Sequence, residues 1–214
     1  WEIRSEQIRR AEAAPEKHAQ AIWDATIKDI SRGQSIGTVD ADGNPIPFDT
    51  IKQVSEALGT DRWICAFRFA VEQKNKVRGC DDACRNSVND ATARSEKLEV
   101  TGTDEIIAVV SEIVRRLKAK GVDPKLAAWI LDESDAYRQI PILPEHRKYS
   151  VIALRKPGGG VGFTIMVGHS FGNVASVYNY NRRSARVDEI LKKIFKVAAC
   201  FYFDDKFGIE RDDR

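Results

Sequence analysis

Apolar and polar residues alternate along some stretches of the chain, and in others apolar residues return every three or four positions. From Trp63 to Val71 a bulky apolar residue occupies every second position, which predicts a strand. Residues 73–76 then predict a hairpin turn, and a return strand begins at Val77. A second hairpin is predicted from Ser150–Leu154 and Val161–Val167, which a glycine run joins.

A period near 3.6 predicts helices over residues 1–34, 49–58, 103–120 and 173–196. Glycines close the first three, and Thr103 is expected to cap the third. The third helix is expected to bury Ile106, Val109, Val110, Ile113, Val114 and Leu117. The fourth is expected to pack Val187, Ile190, Leu191, Ile194 and Phe195.

Two apolar segments each end in acids. Residues 126–131 lead into Asp132, and residues 198–203 lead into Asp204 and Asp205. The first segment predicts a buried strand that carries Asp132 to a solvent-facing rim. The second segment predicts a buried strand that carries Asp204 and Asp205 to such a rim. Two strands that end in carboxylates indicate a metal site with paired acids.

Composition places the chain among ordinary globular proteins, with 43% hydrophobic and 31% charged residues in 214. The net charge of +2 neither requires nor excludes a nucleic-acid partner, since a phosphate-binding cleft needs only local positive charge. No apolar run approaches the roughly 20 residues that span a bilayer, and no secretory signal pattern is visible. We therefore expect an intracellular protein without a membrane partner. The first residue is Trp1 and the chain stops soon after Asp205, so we also expect a fragment of a longer protein.

The remaining polar candidates have ordinary interpretations. Four cysteines, at positions 65, 80, 84 and 200, lack zinc-finger spacing and are expected to be free thiols of a reducing compartment. His169 is expected to be a surface imidazole. The basic cluster of helix 103–120 is expected to be a solvated face, whereas Arg182, Arg183 and Arg186 are candidates for local positive charge.

Four motifs occur in a consistent order between about residues 62 and 210. Asp132, with Ala136-Tyr137 and Gln139–Ile142 after it, is similar to motif A of reverse transcriptases, and Tyr202–Asp205 is similar to their motif C. Ser170–Asn173 followed by Arg182 is similar to motif B, and Lys76–Arg78 with Asp81-Asp82 is similar to their fingers segment. The ordered set resembles the reverse transcriptase family. Ser170 and His169 depart from the residues usual before the motif B glycine.

The resemblance implies an α+β palm-and-fingers fold, with an antiparallel palm sheet backed by helices and the thumb missing. Residues 1–39 would form an N-terminal helical segment. The fingers would comprise residues 40–100 and 143–170, and the palm residues 101–142 and 171–214.

The resemblance also implies RNA-directed DNA polymerase activity. The substrates would be deoxynucleoside triphosphates and a primed RNA or DNA template. Asp132 and Asp204 would share Mg²⁺ ions, with Mn²⁺ as the alternative, and Asp205 would be an auxiliary acid. Tyr137 would lie beneath the nucleotide sugar, and Gly172 would allow close approach to the backbone. The nucleotide-binding residues implied are Lys74, Lys76, Arg78, Asp135, Ala136, Tyr137, Phe171 and Gly172.

Two alternatives remain open on sequence grounds. One is a palm-type RNA-dependent RNA polymerase, although Tyr137 and the pair Tyr202-Phe203 stand where that family usually has an acid and a glycine. The other is an inactive retroelement relic that binds nucleic acid.

Overall fold

The structure, a computed structural model, describes residues 1–212. The chain has a mixed α+β fold, as predicted, and divides into two compact units. Unit 1 comprises Trp1–Ala93 and Tyr137–Ser176, and unit 2 comprises Arg94–Ala136 and the chain from Val177 onward. The predicted N-terminal segment and fingers fall mostly in unit 1. The predicted palm falls mostly in unit 2, and its last two positions, 213 and 214, lie outside the described residues.

The helices are α1 (Glu2–Glu12), α2 (Ala19–Ser31), α3 (Ile51–Leu58), α4 (Val88–Ala91), α5 (Thr103–Ala119) and α6 (Val174–Lys193). The strands are β1 (Ser35–Ile36), β2 (Thr38–Val39), β3 (Pro45–Ile46), β4 (Cys65–Gln73), β5 (Lys76–Asp81), β6 (Leu126–Asp132), β7 (Val151–Arg155), β8 (Val161–Met166), β9 (Ala198–Tyr202) and β10 (Asp205–Arg211). Short 3₁₀ turns occupy residues 16–18, 136–139 and 144–149.

A five-stranded mixed sheet forms the centre of unit 1, in the order β1-β8-β7-β4-β5. β4 runs parallel to β7, and the other neighbours are antiparallel. Helix α1 packs on β4 and β7. The first four residues of β4 are buried, and its last three residues, which lead into the hairpin, are exposed. The main core of this unit consists of Ala11, Phe48, Val54, Trp63, Cys65, Phe67, Val151, Ala153, Phe163 and Ile165.

Local sequence signals set several helix ends. Thr50 and Gln53 form a reciprocal capping box at the start of α3, and Gly59 ends it with a φ of 67°. Helix α5 begins at Thr103, but its cap residue is Gly102 and no side chain caps it, so the prediction that Thr103 is the cap is wrong by one residue. The predicted apolar stripe of α5 is only partly buried.

Unit 2 is built on a three-stranded antiparallel sheet in the order β6-β10-β9. The prediction that the strand leading to Asp132 is buried is wrong. None of the residues of β6 is fully buried, and Ile130 and Leu131 are 77% and 53% exposed, whereas the other edge strand of the sheet, β9, buries three of its five residues. Asp132 itself faces solvent, as expected.

Helix α6 buries a different face from the one predicted. Ile190, Ile194 and Phe195 are exposed, and the helix ends at Lys193. The buried positions are instead Ser176, Tyr180, Asn181, Ser184 and Asp188, a polar stripe at helical spacing. Burying polar groups costs free energy unless partners satisfy them, and within this stripe Ser184 bonds the Phe203 carbonyl and Asp188 pairs with Lys192.

Within residues 1–212, no helix is long and apolar enough to cross a membrane.

Candidate active site

Asp132 and Asp205 lie directly opposite each other in unit 2. β10 pairs antiparallel with β6, and the register sets Asp205 against Asp132 at the end of the ladder. Opposed residues of an antiparallel pair project from the same face, with Cβ atoms about 4.5–5.5 Å apart. Both residues are exposed. The two carboxylates therefore form a solvent-facing pair on one face of the sheet.

Asp204 lies in the two-residue turn between β9 and β10. Tyr202 and Asp205 close this turn as a register pair, and Phe203 within it has a φ of 53°. A left-handed backbone costs a bulky residue on the order of 1–3 kcal/mol, so it persists only where the surroundings hold it. The Ser184 hydroxyl of α6 donates a hydrogen bond to the Phe203 carbonyl at 3.4 Å. Helix α6 thus contacts the turn that carries Asp204.

The donor set of these acids suits magnesium. Mg²⁺ binds through one or two carboxylates and otherwise keeps water and phosphate oxygens, and opposed strand residues are close enough to serve a metal pair about 4 Å apart. Among residues 1–212, no group of three or more His, Cys, Asp or Glu side chains is arranged to hold a metal. Asp132 and Asp205 therefore present part of a coordination shell that substrate oxygens could complete.

A largely buried ionic network lies immediately beside the acids, and no sequence pattern indicates it. The carboxylate of Glu133, the residue after Asp132, accepts hydrogen bonds from Lys206, the residue after Asp205, and from Arg183 of α6. Burial acts to raise the pKa of Glu133, but the bonds from Lys206 and Arg183 outweigh it and hold the pKa below its ordinary value. Burial and the neighbouring Glu133 carboxylate raise the pKa of Tyr180 to about 12.

Tyr137 and Phe171, from the motifs similar to A and B, contact each other in unit 1. Their ring centroids are 5.1 Å apart and the planes are inclined by 72°, an edge-to-face arrangement. The guanidinium of Arg138 lies 5.6 Å from the Phe171 ring and pairs with Asp29 of α2 at 3.3 Å. The aromatic pair is therefore fixed to the body of unit 1 by a buried arginine.

The loop that carries Gly172 is held by backbone contacts. Gly172 has a φ of 98°, and a Cβ there would collide with the carbonyl of Asp81. Asn89 holds the same loop from both sides, because its amide donates to the Gly172 carbonyl at 3.0 Å and accepts from the Val174 N–H at 2.8 Å. A glycine is thus required here for packing within the chain. The sequence does not identify Asn89 as a residue that supports this loop, because residues 83–102 are polar and irregular and predict only a loop. The structure instead places Asn89 in the short helix α4.

The β4–β5 hairpin presents the basic residues expected to hold phosphate. Lys76 and Arg78 alternate along β5 and share one face, and Lys74 lies in the turn. All three are exposed, and among the described residues no ion pair engages their side chains. On the opposite face, Arg68 binds Asp81 through two hydrogen bonds of 2.7 and 3.1 Å.

Asp135 and Ala136 complete the set of predicted nucleotide-binding residues. Asp135 adopts a φ of 56° and is half-buried. Ala136 is only 3% exposed, so its side chain packs inside the protein in this structure.

The arginines of α6 do not form a free basic patch. Arg182 pairs with Glu96 at 2.8 Å, Arg183 with Glu133, and Arg186 with Glu189 at 2.8 Å. On α5, Arg115 and Arg116 both bind Glu112, which fits the solvated face predicted there.

His169 and the cysteines have structural surroundings. His169 is 8% exposed, so the prediction of a surface imidazole is wrong, and burial lowers its pKa. All four cysteines are free, as predicted, and burial raises the pKa of Cys65 to about 12. A thiol with so high a pKa stays protonated and unreactive near neutral pH.

No protein-family model matches the chain. No curated protein matches it either.

Proposed function

We propose that the chain is the fingers and palm of a reverse transcriptase, which copies a primed template into DNA from deoxynucleoside triphosphates. The observation that carries the proposal is the register of Asp132 with Asp205. It brings an acid from the motif similar to A opposite an acid from the motif similar to C, although about 70 residues separate them in the chain.

In this proposal the opposed pair Asp132 and Asp205 holds Mg²⁺, with Mn²⁺ as a substitute, and Asp204 in the adjoining turn is the further ligand that the resemblance adds. The bound ions would activate the primer 3′-hydroxyl and offset charge on the triphosphate. The chain itself supplies exposed carboxylates on a sheet end whose turn contacts α6 through Ser184. Rigid placement of the ligands matters, because small misplacements of reacting groups cost large factors in rate.

The β4–β5 hairpin supplies the positive charge for the triphosphate. Arg78 is suited to a bidentate contact with phosphate oxygens, and Lys76 on the same face adds a point charge. Neither cation is neutralised by an acid among the described residues. The arginines of α6 are less suited to this role, since each already has a carboxylate partner.

Tyr137 supports synthesis of DNA over RNA. Its ring packs edge-on against Phe171 and so has a defined orientation. An aromatic ring beneath the sugar would leave a 2′-hydroxyl without space or a hydrogen-bond partner, which discriminates more strongly than apolar contact alone.

Primer extension by the full-length protein tests the proposal. With an RNA template, a DNA primer, Mg²⁺ and the four deoxynucleoside triphosphates, we expect a product whose sequence follows the template and which disappears on addition of EDTA. Preferential use of ribonucleotides would support an RNA polymerase. Template binding without any extension would indicate an inactive relic, and either result would overturn the proposal.

A further inference from the structure

The acids at the end of the β6–β10 ladder occupy a position that ordinarily frays. Asp132 and Asp205 form its terminal register pair, and beyond them β6 has no further partner on β10. Strand and helix ends are the least firmly fixed parts of regular elements. A metal pair, in contrast, requires its ligands to keep a fixed separation.

Glu133 and Lys206 form an ion pair at the same end of the ladder, on the other face of the sheet. Lys206 is one residue beyond Asp205, so it projects away from the acids, and its side chain is only 2% exposed. Its ammonium binds the carboxylate of Glu133, whose side chain is 13% exposed. The ion pair therefore joins the residue after Asp132 to the residue after Asp205.

Helix α6 adds further contacts to this ion pair. Arg183 donates to the same Glu133 carboxylate, and the ring of Tyr180, which is fully buried, lies 5.7 Å from the Lys206 ammonium. One turn along, Ser184 holds the Phe203 carbonyl next to Asp204. One face of α6 thus contacts the neighbours of all three acids.

Stability alone does not account for this network. A buried ion pair loses much of its Coulomb gain to desolvation, and replacing the whole pair with apolar groups of similar size is often neutral or stabilising. Lys206 has Phe201 as a cross-strand neighbour, so an apolar side chain would fit the site chemically. A charged pair at this position is better explained by a need for defined geometry.

We propose that Glu133 and Lys206, with Arg183, are positioning residues that hold Asp132 and Asp205 in register for divalent-metal binding. This inference rests on the proposed function and deepens it. Glu133 and Lys206 are not expected to touch the metal or the substrate.

The test compares Mn²⁺ binding, followed by electron paramagnetic resonance on the metal-free full-length protein, with thermal unfolding. The double variant Glu133→Gln/Lys206→Met removes both buried charges together and leaves only Arg183, whose side chain is 39% exposed, without its partner. We expect it to unfold within a few degrees of the parent, to bind Mn²⁺ at least tenfold more weakly, and to lose kcat for extension with little change in the KM for nucleotide. Glu189→Gln, which breaks pairs with Arg186 and Lys193 outside the buried stripe of α6, is the matched control and should leave Mn²⁺ binding unchanged.

Arg183→Met provides a second measurement, because its side chain is 39% exposed and its loss should not prevent folding. We expect Mn²⁺ binding to weaken several-fold. Unfolding of the double variant together with parental Mn²⁺ binding by Arg183→Met would overturn the inference, and so would parental binding by a folded double variant. If Asp132→Asn abolishes Mn²⁺ binding while the double variant binds like the parent, only the inference fails. If Asp132→Asn also binds like the parent, the proposed function fails.

Discussion

Asp132 lies directly across the β6–β10 ladder from Asp205, and Asp204 occupies the adjoining turn. The family resemblance ranks Asp204 as the partner of Asp132 and Asp205 as auxiliary. The register instead gives Asp205 the position on the same face as Asp132. Asp205 therefore faces Asp132 within the sheet, whereas Asp204 lies next to it in the turn, and their separate contributions can be measured.

Replacement of Asp204 or Asp205 by Asn distinguishes their roles. Asp204→Asn should abolish primer extension, because the resemblance makes it a shared metal ligand. Asp205→Asn should reduce extension by at least tenfold, about 1.4 kcal/mol of barrier, because this acid opposes Asp132. Single-turnover extension rates give both values. An Asp205→Asn protein as active as the parent would show that the opposed acid takes no part in catalysis.

Tyr137→Val should relax sugar discrimination. In the proposed site, removing the ring would open the space beneath the sugar, and it also removes the edge contact with Phe171. We expect the ratio of ribonucleotide to deoxynucleotide incorporation to rise while overall extension falls little. Tyr149→Val, at an exposed tyrosine of the same unit, is the control. An unchanged ratio in Tyr137→Val would mean that the ring does not face the sugar.

The double variant Lys76→Ala/Arg78→Ala should weaken nucleotide binding. These exposed cations share one face of the β4–β5 hairpin, so their loss removes positive charge without removing core contacts. We expect the KM for deoxynucleotide to rise by about tenfold, which corresponds to about 1.4 kcal/mol. Lys52→Ala, on the exposed surface of α3, should have the parental KM. Equal KM values for the two variants would show that the hairpin takes no part in nucleotide binding.

Asn89→Ala should destabilise the protein and disturb the Gly172 loop. The substitution leaves the Gly172 carbonyl and the Val174 N–H without their side-chain partner. A buried group that loses its partner typically costs about 1–3 kcal/mol, which urea unfolding can measure. Asn75→Ala, at the exposed hairpin tip, is the control and should unfold like the parent. A parental unfolding curve for Asn89→Ala would show that the loop does not depend on this amide.

Much of the fold follows from local patterns. The alternation from Trp63 to Val71 predicts β4, and the apolar period with acidic start and basic end predicts α5. Turn residues such as Gly59 mark element ends because few other residues adopt a positive φ without strain. These signals are readable because they depend on neighbours in sequence.

The features that sequence reasoning missed depend on contacts between distant segments. No sequence pattern connects Lys206 with Glu133, and only the pairing of β6 with β10 shows that they meet in a buried position. Ile190 follows the helical period yet is exposed, because α6 turns its polar stripe inward to meet that pair, and Ile194 and Phe195 lie beyond the end of the helix at Lys193. Periodicity identifies a helix, but it does not determine whether the apolar face or the polar face packs against the rest of the protein.

The most direct measurement of the central claim is primer extension by Asp132→Asn beside Asp123→Asn in the full-length protein. Asp123 is an exposed acid of the same unit that pairs with Lys125 at 3.9 Å, so its replacement is a matched change of charge. The account predicts that Asp132→Asn folds like the parent and extends no primer, whereas Asp123→Asn extends at the parental rate. Extension by Asp132→Asn within tenfold of the parent, about 1.4 kcal/mol of barrier, would contradict it.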